Sequence, residues 1–238
     1  MNRTKPSQIV AIVPARGGSR RLPGKNIREF GGVPMIGWTL QVAKRSRYIQ
    51  RCVVSTDSEE IATVVRSLGG EAPFLRPPEL ASDEAPTLGA LQHAVRWIEN
   101  DQSHPVRIVV LLQPTSPLRV ASDIDEAVER LESAPCESVE TVSHNRDHPQ
   151  HLARIDEDGR LHPLPGEASE TDSVVGPTGS VYVIRREVLM EQHQIRGNDH
   201  RGLIREASVS VDIDTAADFD RAEEFLRQRL QQENEFTP

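Results

Sequence analysis

A short apolar run at residues 9–13 passes straight into a glycine turn that carries four cations within ten residues: Arg16, Arg20, Arg21 and Lys25. So much positive charge beside exposed backbone N–H groups is costly to hold together unless polyanionic oxygens come to meet it. Guanidinium forks and turn amides are how proteins grip a phosphate chain. A solvated basic loop between a strand and a helix is the plainer alternative. The turn has neither the glycine-x4-glycine-lysine-serine/threonine order of the NTPase loop nor the G-x-G-x-x-G order of a dinucleotide site.

The rest of the chain alternates strand-like and helix-like segments, which predicts an α/β protein with a mainly parallel sheet. Pro34 stands at a plausible first helical position, ahead of Ile36, Leu40 and Ala43 at helical spacing. Residues 52–56 read as a second strand. Asp57 and Glu60 then form a cap-and-return pair before Ile61, Val64, Val65 and Leu68, and Gly69 closes that helix. A helix over 88–99 buries Leu88, Leu91, Val95 and Ile98. Residues 107–112 are apolar on both faces, as a central parallel strand requires. Ser122 is placed to cap the next helix. Strands at 181–184 and 208–213 and a helix over 215–230 complete the expected core.

Between residues 143 and 178 the periodic apolar positions give way to histidines, prolines and acids, with a hairpin turn at Asp156-Glu-Asp-Gly159. The expected organisation is a core of 1–142 and 179–238 with 143–178 inserted as an arm.

The net charge of −8 excludes general nucleic-acid binding, which needs a basic face. Cations gathered near one end of an acidic chain suit a small anionic ligand instead. Cys52 and Cys136 fit no metal spacing, and the histidines show none either, with His93 expected on a helix surface. Residues 1–8 lack the apolar centre of a signal peptide and no run approaches a membrane span, so a cytosolic protein with no membrane partner is expected.

Ligands of open α/β sheets bind beyond the carboxyl ends of the strands. Four polar clusters fall there: the Arg16–Lys25 turn, Ser55-Thr56-Asp57, the run from Gln113 to Arg119, and Asp212-Ile-Asp214. Two carboxylates two residues apart on a strand point to one face and repel unless a proton or cation lies between them. Beside a phosphate chain, Mg²⁺ is the economical occupant. Asp214 has a second explanation as the cap of the final helix; Asp212 does not.

The segments IVPARGGSRRLPGKN (12–26), VVSTDSEEIA (53–62), FLRPPELASDEAPT (74–87), LLQPTSPLR (111–119) and SVDIDTAADF (210–219) together resemble the acylneuraminate (CMP-sialic acid) cytidylyltransferases. The resemblance implies a Rossmann-like nucleotidyltransferase fold, a homodimer made through the inserted arm, and Mg²⁺-dependent transfer of CMP from CTP to a nonulosonic acid. Carried over by position, Arg16 and Lys25 match the triphosphate-binding cations, and Ala15, Ser19 and Asn26 match the CTP-binding turn. Arg76 and Thr87 match the cytosine-reading positions, Gln113 the sugar site, and Asp212 and Asp214 the metal carboxylates.

Two departures bear on catalysis and on the acceptor. Arg20 stands where the family has the lysine of a G-S-K triplet and is expected to serve that catalytic position. Gly176 and Thr178 replace the arginine and asparagine of an arginine-proline-asparagine-glycine run. Legionaminate, pseudaminate or Kdo is therefore an alternative acceptor, and a nucleotide-binding homologue without turnover is the alternative to an enzyme.

Overall fold

The computed structural model describes residues 7–19, 21–102, 105–144, 152–164, 173–206 and 211–235. Arg20, His104, residues 145–151 and 165–172 of the expected arm, and residues 208–210 of the expected last strand lie outside the described residues.

The first apolar run forms β1 (Gln8–Pro14), flanked in parallel by β4 (Arg51–Ser55) and β5 (Val106–Leu112). Ile12 of β1 is in register with Val53 on one side and Leu111 on the other. Beyond β5 lie β9 (Ser173–Arg185), β6 (Ser138–Ser143) and β10 (His200–Ile204), giving the order β10-β6-β9-β5-β1-β4. Of these six, β9 alone runs against its neighbours. The start of its core portion therefore lies at the rim where the other five strands end.

Both faces of this sheet are covered, which is why β1 and β5 read as continuous apolar runs. Ala11 and Val13 join one core with Ile36 and Ala43 of α1 (Met35–Arg45), Ile61 and Val65 of α2 (Glu59–Ser67), and Ile124 and Leu131 of α4 (Ala121–Ser133). Val10 and Ile12 face the opposite core, with Leu91, Val95 and Ile98 of α3 (Thr87–Gln102) and Leu189 of α5 (Arg186–Met190). A third core ties the two ends of the sequence together. Phe30 of β2 (Glu29–Phe30), which pairs with β3 (Val33–Pro34), packs edge-on against Phe219 of α6 (Ala216–Glu235) at 5.5 Å between ring centroids.

The turn at 156–159 joins β7 (Ala153–Ile155) to β8 (Leu161–Pro163), with Gly159 in the left-handed region, as its sequence implies. The hairpin is not a separate sheet. β7 pairs with Ser173–Val175, and the same strand β9 continues through Gly176 into the core. The strand is eight residues longer at its start than apolar patterning suggests.

Four local expectations are corrected. Ser58, not Asp57, caps α2, its hydroxyl accepting from the Ile61 N–H at 3.4 Å. Asp123, not Ser122, closes the start of α4 by accepting from the Val120 N–H at 2.9 Å. Residues 211–214 are not a strand; they are irregular backbone. His93 is half-buried with its ring edge-on to Phe74 at 4.8 Å, not on the helix surface, and this burial lowers its pKa.

Candidate active site

The carboxyl rim of β1, β4 and β5 opens into a cavity of about 540 Å³. β1 delivers its turn there because the Ala15 N–H still bonds to the Ser55 carbonyl at 3.0 Å, after which the chain leaves the sheet. Gly24, at φ 64°, turns the chain back so that Lys25 and Asn26 face the same space. Asn26 is buried and its amide donates to the Arg16 carbonyl at 3.0 Å, which braces the turn across its own width.

Arg16, Ser19, Arg21, Lys25 and Asn26 all line the cavity, and so do Arg76, Thr87, Gln113 and Asp214. Arg16 reaches across it to Asp83 at 2.7 Å. On the opposite side Lys25 donates to Asp214 Oδ1 and to the Ile213 carbonyl, each at 2.9 Å. Arg21 approaches Asp214 Oδ2 at 3.3 Å. The basic turn and the carboxylate near the end of the chain therefore meet at one rim. Arg20 lies outside the described residues.

The irregular segment carrying Asp212 and Asp214 is held at the residue between them. The Ile213 side chain is fully buried, its N–H bonds to the Thr115 carbonyl at 2.8 Å, and its carbonyl accepts from Lys25. The carboxylates thus do not project from one side of a strand. Asp214 lines the cavity, whereas Asp212 lies beside Gln113 and Gly179.

Gly179 itself leaves a cradle. At φ 71° it has no Cβ, and a Cβ there would stand 3.0 Å from Gln113 Oε1 and 3.1 Å from Asp212 Oδ2. Gln113 Oε1 and Asp212 Oδ2 are hard oxygen donors of the kind that fit Mg²⁺, which takes one or two carboxylates and fills its octahedron with phosphate oxygens and water. Among the described residues no group of three or more acidic, histidine or cysteine side chains converges, so such an ion would depend on the nucleotide for part of its shell.

Arg119, the last residue of the polar run after β5, does not face the ligand space. It is 2% exposed and spends its donors on the Gln113 carbonyl at 2.6 Å, the Ser180 carbonyl at 2.9 Å and Thr39 Oγ1 at 3.1 Å. Burial lowers its pKa to about 10, still well above neutrality. It fixes the turn after β5 from behind. Asp57 was obscured by its capping pattern, and instead accepts from the Gly17 N–H at 3.0 Å.

A mainly parallel sheet with a cation-lined cavity at its carboxyl rim, and an acidic segment returning to that rim, defines a Rossmann-like nucleotidyltransferase architecture. Residues 10–234 match the family described as Cytidylyltransferase, and the chain belongs to that family. It is 34% identical over 227 residues to the CMP-N,N'-diacetyllegionaminic acid synthase of Legionella pneumophila, covering 92% of this chain and 96% of that protein. It is 30% identical over 223 residues to the N-acylneuraminate cytidylyltransferase of Escherichia coli, covering 91% of this chain and 51% of that protein. Among solved structures it resembles a CMP:2-keto-3-deoxy-manno-octonic acid synthetase complexed with CTP. The TM-score is 0.76 at 19% identity, over 94% of this chain and all of that one, a likeness of fold. No helix among the described residues is long and apolar enough to cross a membrane.

Proposed function

We propose that this cytidylyltransferase moves CMP from CTP onto a nonulosonic acid and releases pyrophosphate. The observation that carries the reading is the meeting of Lys25 and Asp214 at the rim of a cavity lined by Arg16, Arg21 and Arg76. In the reaction the anomeric hydroxyl oxygen of the acid bonds to the α-phosphorus of CTP. The bond from that phosphorus to the bridging oxygen breaks, pyrophosphate leaves with the electron pair, and the hydroxyl proton passes to solvent.

Such transfers need positioning and charge stabilisation more than covalent help. Arg16 and Lys25 flank the cavity and neutralise charge on the leaving group, a task the reading extends to Arg20. Ser19, Asn26 and the Ala15 turn hold the triphosphate, Arg76 and Thr87 take the base, and Gln113 takes the acceptor. Asp212 and Asp214 would hold Mg²⁺. Bound there with the triphosphate, that ion supplies charge neutralisation to the phosphate oxygens.

Of the acceptors, an N-acylneuraminate is the first reading and a legionaminate the second. The second is favoured by the 34% identity over nearly the full length of a legionaminate enzyme. The same reading makes the chain a homodimer joined through 143–178, where Leu164 leaves an apolar side chain exposed.

The test mixes purified protein, CTP and Mg²⁺ with a panel of nonulosonic acids and measures pyrophosphate. Release with one of these acids and CTP, but not UTP, supports the proposal. Stabilisation by CTP without turnover on any acceptor would replace the enzyme with a nucleotide-binding protein. Turnover with UTP and a sugar phosphate, but never with CTP, would move the chain to other nucleotide chemistry.

A further inference from the structure

We infer that Asp57 is a positioning residue that couples the guanidinium of Arg76 to the phosphate-side turn at Gly17, so that one carboxylate sets both ends of the nucleotide site. The inference deepens the CTP-binding reading above and rests on it.

Its geometry is a shared oxygen. Asp57 Oδ1 accepts from the Gly17 N–H at 3.0 Å and lies 3.6 Å from Arg76 Nη2, an ion-pair distance too long for a hydrogen bond. Because Ser58 caps α2, the Asp57 carboxylate is not needed at that helix end. The backbones are locked at the same place. The Arg76 N–H donates to the Thr56 carbonyl at 2.7 Å, and a Cβ on Gly17 would come within 3.1 Å of Ser58 Cβ. The glycine turn, the end of β4 and the Arg76 backbone therefore form one packed unit.

Arg76 needs what Asp57 offers. It is 6% exposed, it lines the cavity, and its Nε and Nη2 have no hydrogen-bond acceptor among the described residues. A buried guanidinium with open donors is costly until a ligand oxygen reaches them. Burial pushes the Arg76 pKa down and Arg16 adds to that, while Asp57 pulls it back up. Asp57 so keeps a charged donor waiting in a dry wall, and through Gly17 it fixes where the phosphate turn sits relative to that donor.

The experiment compares Asp57→Asn, Asp57→Glu, Arg76→Gln and the Asp57→Asn/Arg76→Gln double variant by titration with CTP and with UTP, without acceptor. Asparagine keeps an acceptor oxygen for the Gly17 N–H, removes the charge and replaces the other oxygen with an NH₂ donor. Asp57→Asn is expected to weaken CTP binding about tenfold and to narrow the preference for CTP over UTP. In the Arg76→Gln background the same change costs far less than tenfold, since coupled residues are not additive. Asp57→Glu, which keeps the charge, retains more of the CTP preference than Asp57→Asn even if the asparagine variant folds poorly. CTP affinity and preference unchanged in Asp57→Asn, or equal losses with and without Arg76, would overturn the inference. A wild-type protein with no preference for CTP over UTP would instead overturn the nucleotide reading beneath it.

Discussion

Lys25 and Asp214 stand 189 positions apart in sequence and 2.9 Å apart in space, Nζ to Oδ1. The Lys25 side chain is 14% exposed and that of Asp214 is 45% exposed, so the contact sits at a wet rim. Ion pairs of this kind contribute about 0–1 kcal/mol to stability. The pairing therefore does little to hold the fold, and its value lies in what it presents to the cavity.

The first prediction follows from that magnitude. Lys25→Met and Asp214→Asn should each lower kcat/KM for pyrophosphate release by about 10²–10³-fold, the usual loss for one preorganised electrostatic contact. The melting temperature of Asp214→Asn should stay within a few degrees of wild type, because the ion pair contributes so little to ΔG. Parallel melting curves and initial rates check both halves; a large melting shift would make the pair structural.

Arg119 predicts the reverse pattern. Its guanidinium is buried among the Gln113 and Ser180 carbonyls and the Thr39 hydroxyl, which a methionine would leave without donors. Leaving a buried acceptor without its donor costs about 1–3 kcal/mol. Arg119→Met should lose that much in urea unfolding. Arg119→Lys should recover only part, since an ammonium cannot reproduce a planar fork.

How far the sequence carries a reader depends on where each residue's partners come from. β1 and its turn are legible because burial on both faces and clustered cations are local properties. Arg119 is not, because its acceptors are gathered from the turn after β5, from β9 and from Thr39 of α1, and an arginine viewed alone suggests a ligand contact. Asp57 and Ser58 satisfy helix-capping grammar equally well, and only the approach of Gly17 separates them. The residues Asp212 and Asp214 are legible as a pair. Their setting is not, because the strand expected there is replaced by one buried isoleucine bonded to Thr115 and Lys25. The start of β9 is hidden by glycine, proline and threonine. Its break from β6 is filled by Thr141 and Thr178, whose hydroxyls meet at 2.6 Å.

Gly179 is the next point of test. An alanine there must adopt a left-handed backbone at a cost of about 1–2 kcal/mol, and its Cβ would press on Gln113 Oε1 and Asp212 Oδ2. Displacing groups around a reacting centre by about an ångström can cost 10²-fold in rate. Gly179→Ala should therefore reduce kcat by about that factor, while CTP affinity, which the proposed function assigns to the turn after β1, changes far less. Comparison of kcat with a CTP titration separates the two.

The last prediction concerns acid. Asp199 accepts from Arg201 Nε at 3.0 Å and from Arg160 Nη2 at 3.0 Å, tying the β7–β8 hairpin to β10. Hydrogen bonding from Arg201 holds its carboxyl below the ordinary value of 3.8, against a smaller opposing effect of burial. A carboxylate with a depressed folded-state pKa contributes stability that is fully present above the unfolded value and is lost as pH falls through the folded one. Wild type should therefore melt higher than Asp199→Asn at pH 7, by a modest amount because the group is partly solvated. The gap should hold down to about pH 5 and close below 3.8 as the carboxyl protonates and comes to resemble the amide. Melting curves of the two proteins from pH 7 to about pH 3 decide it. A gap that widens on acidification would mean that Asp199 is not the anion that Arg160 and Arg201 hold in place.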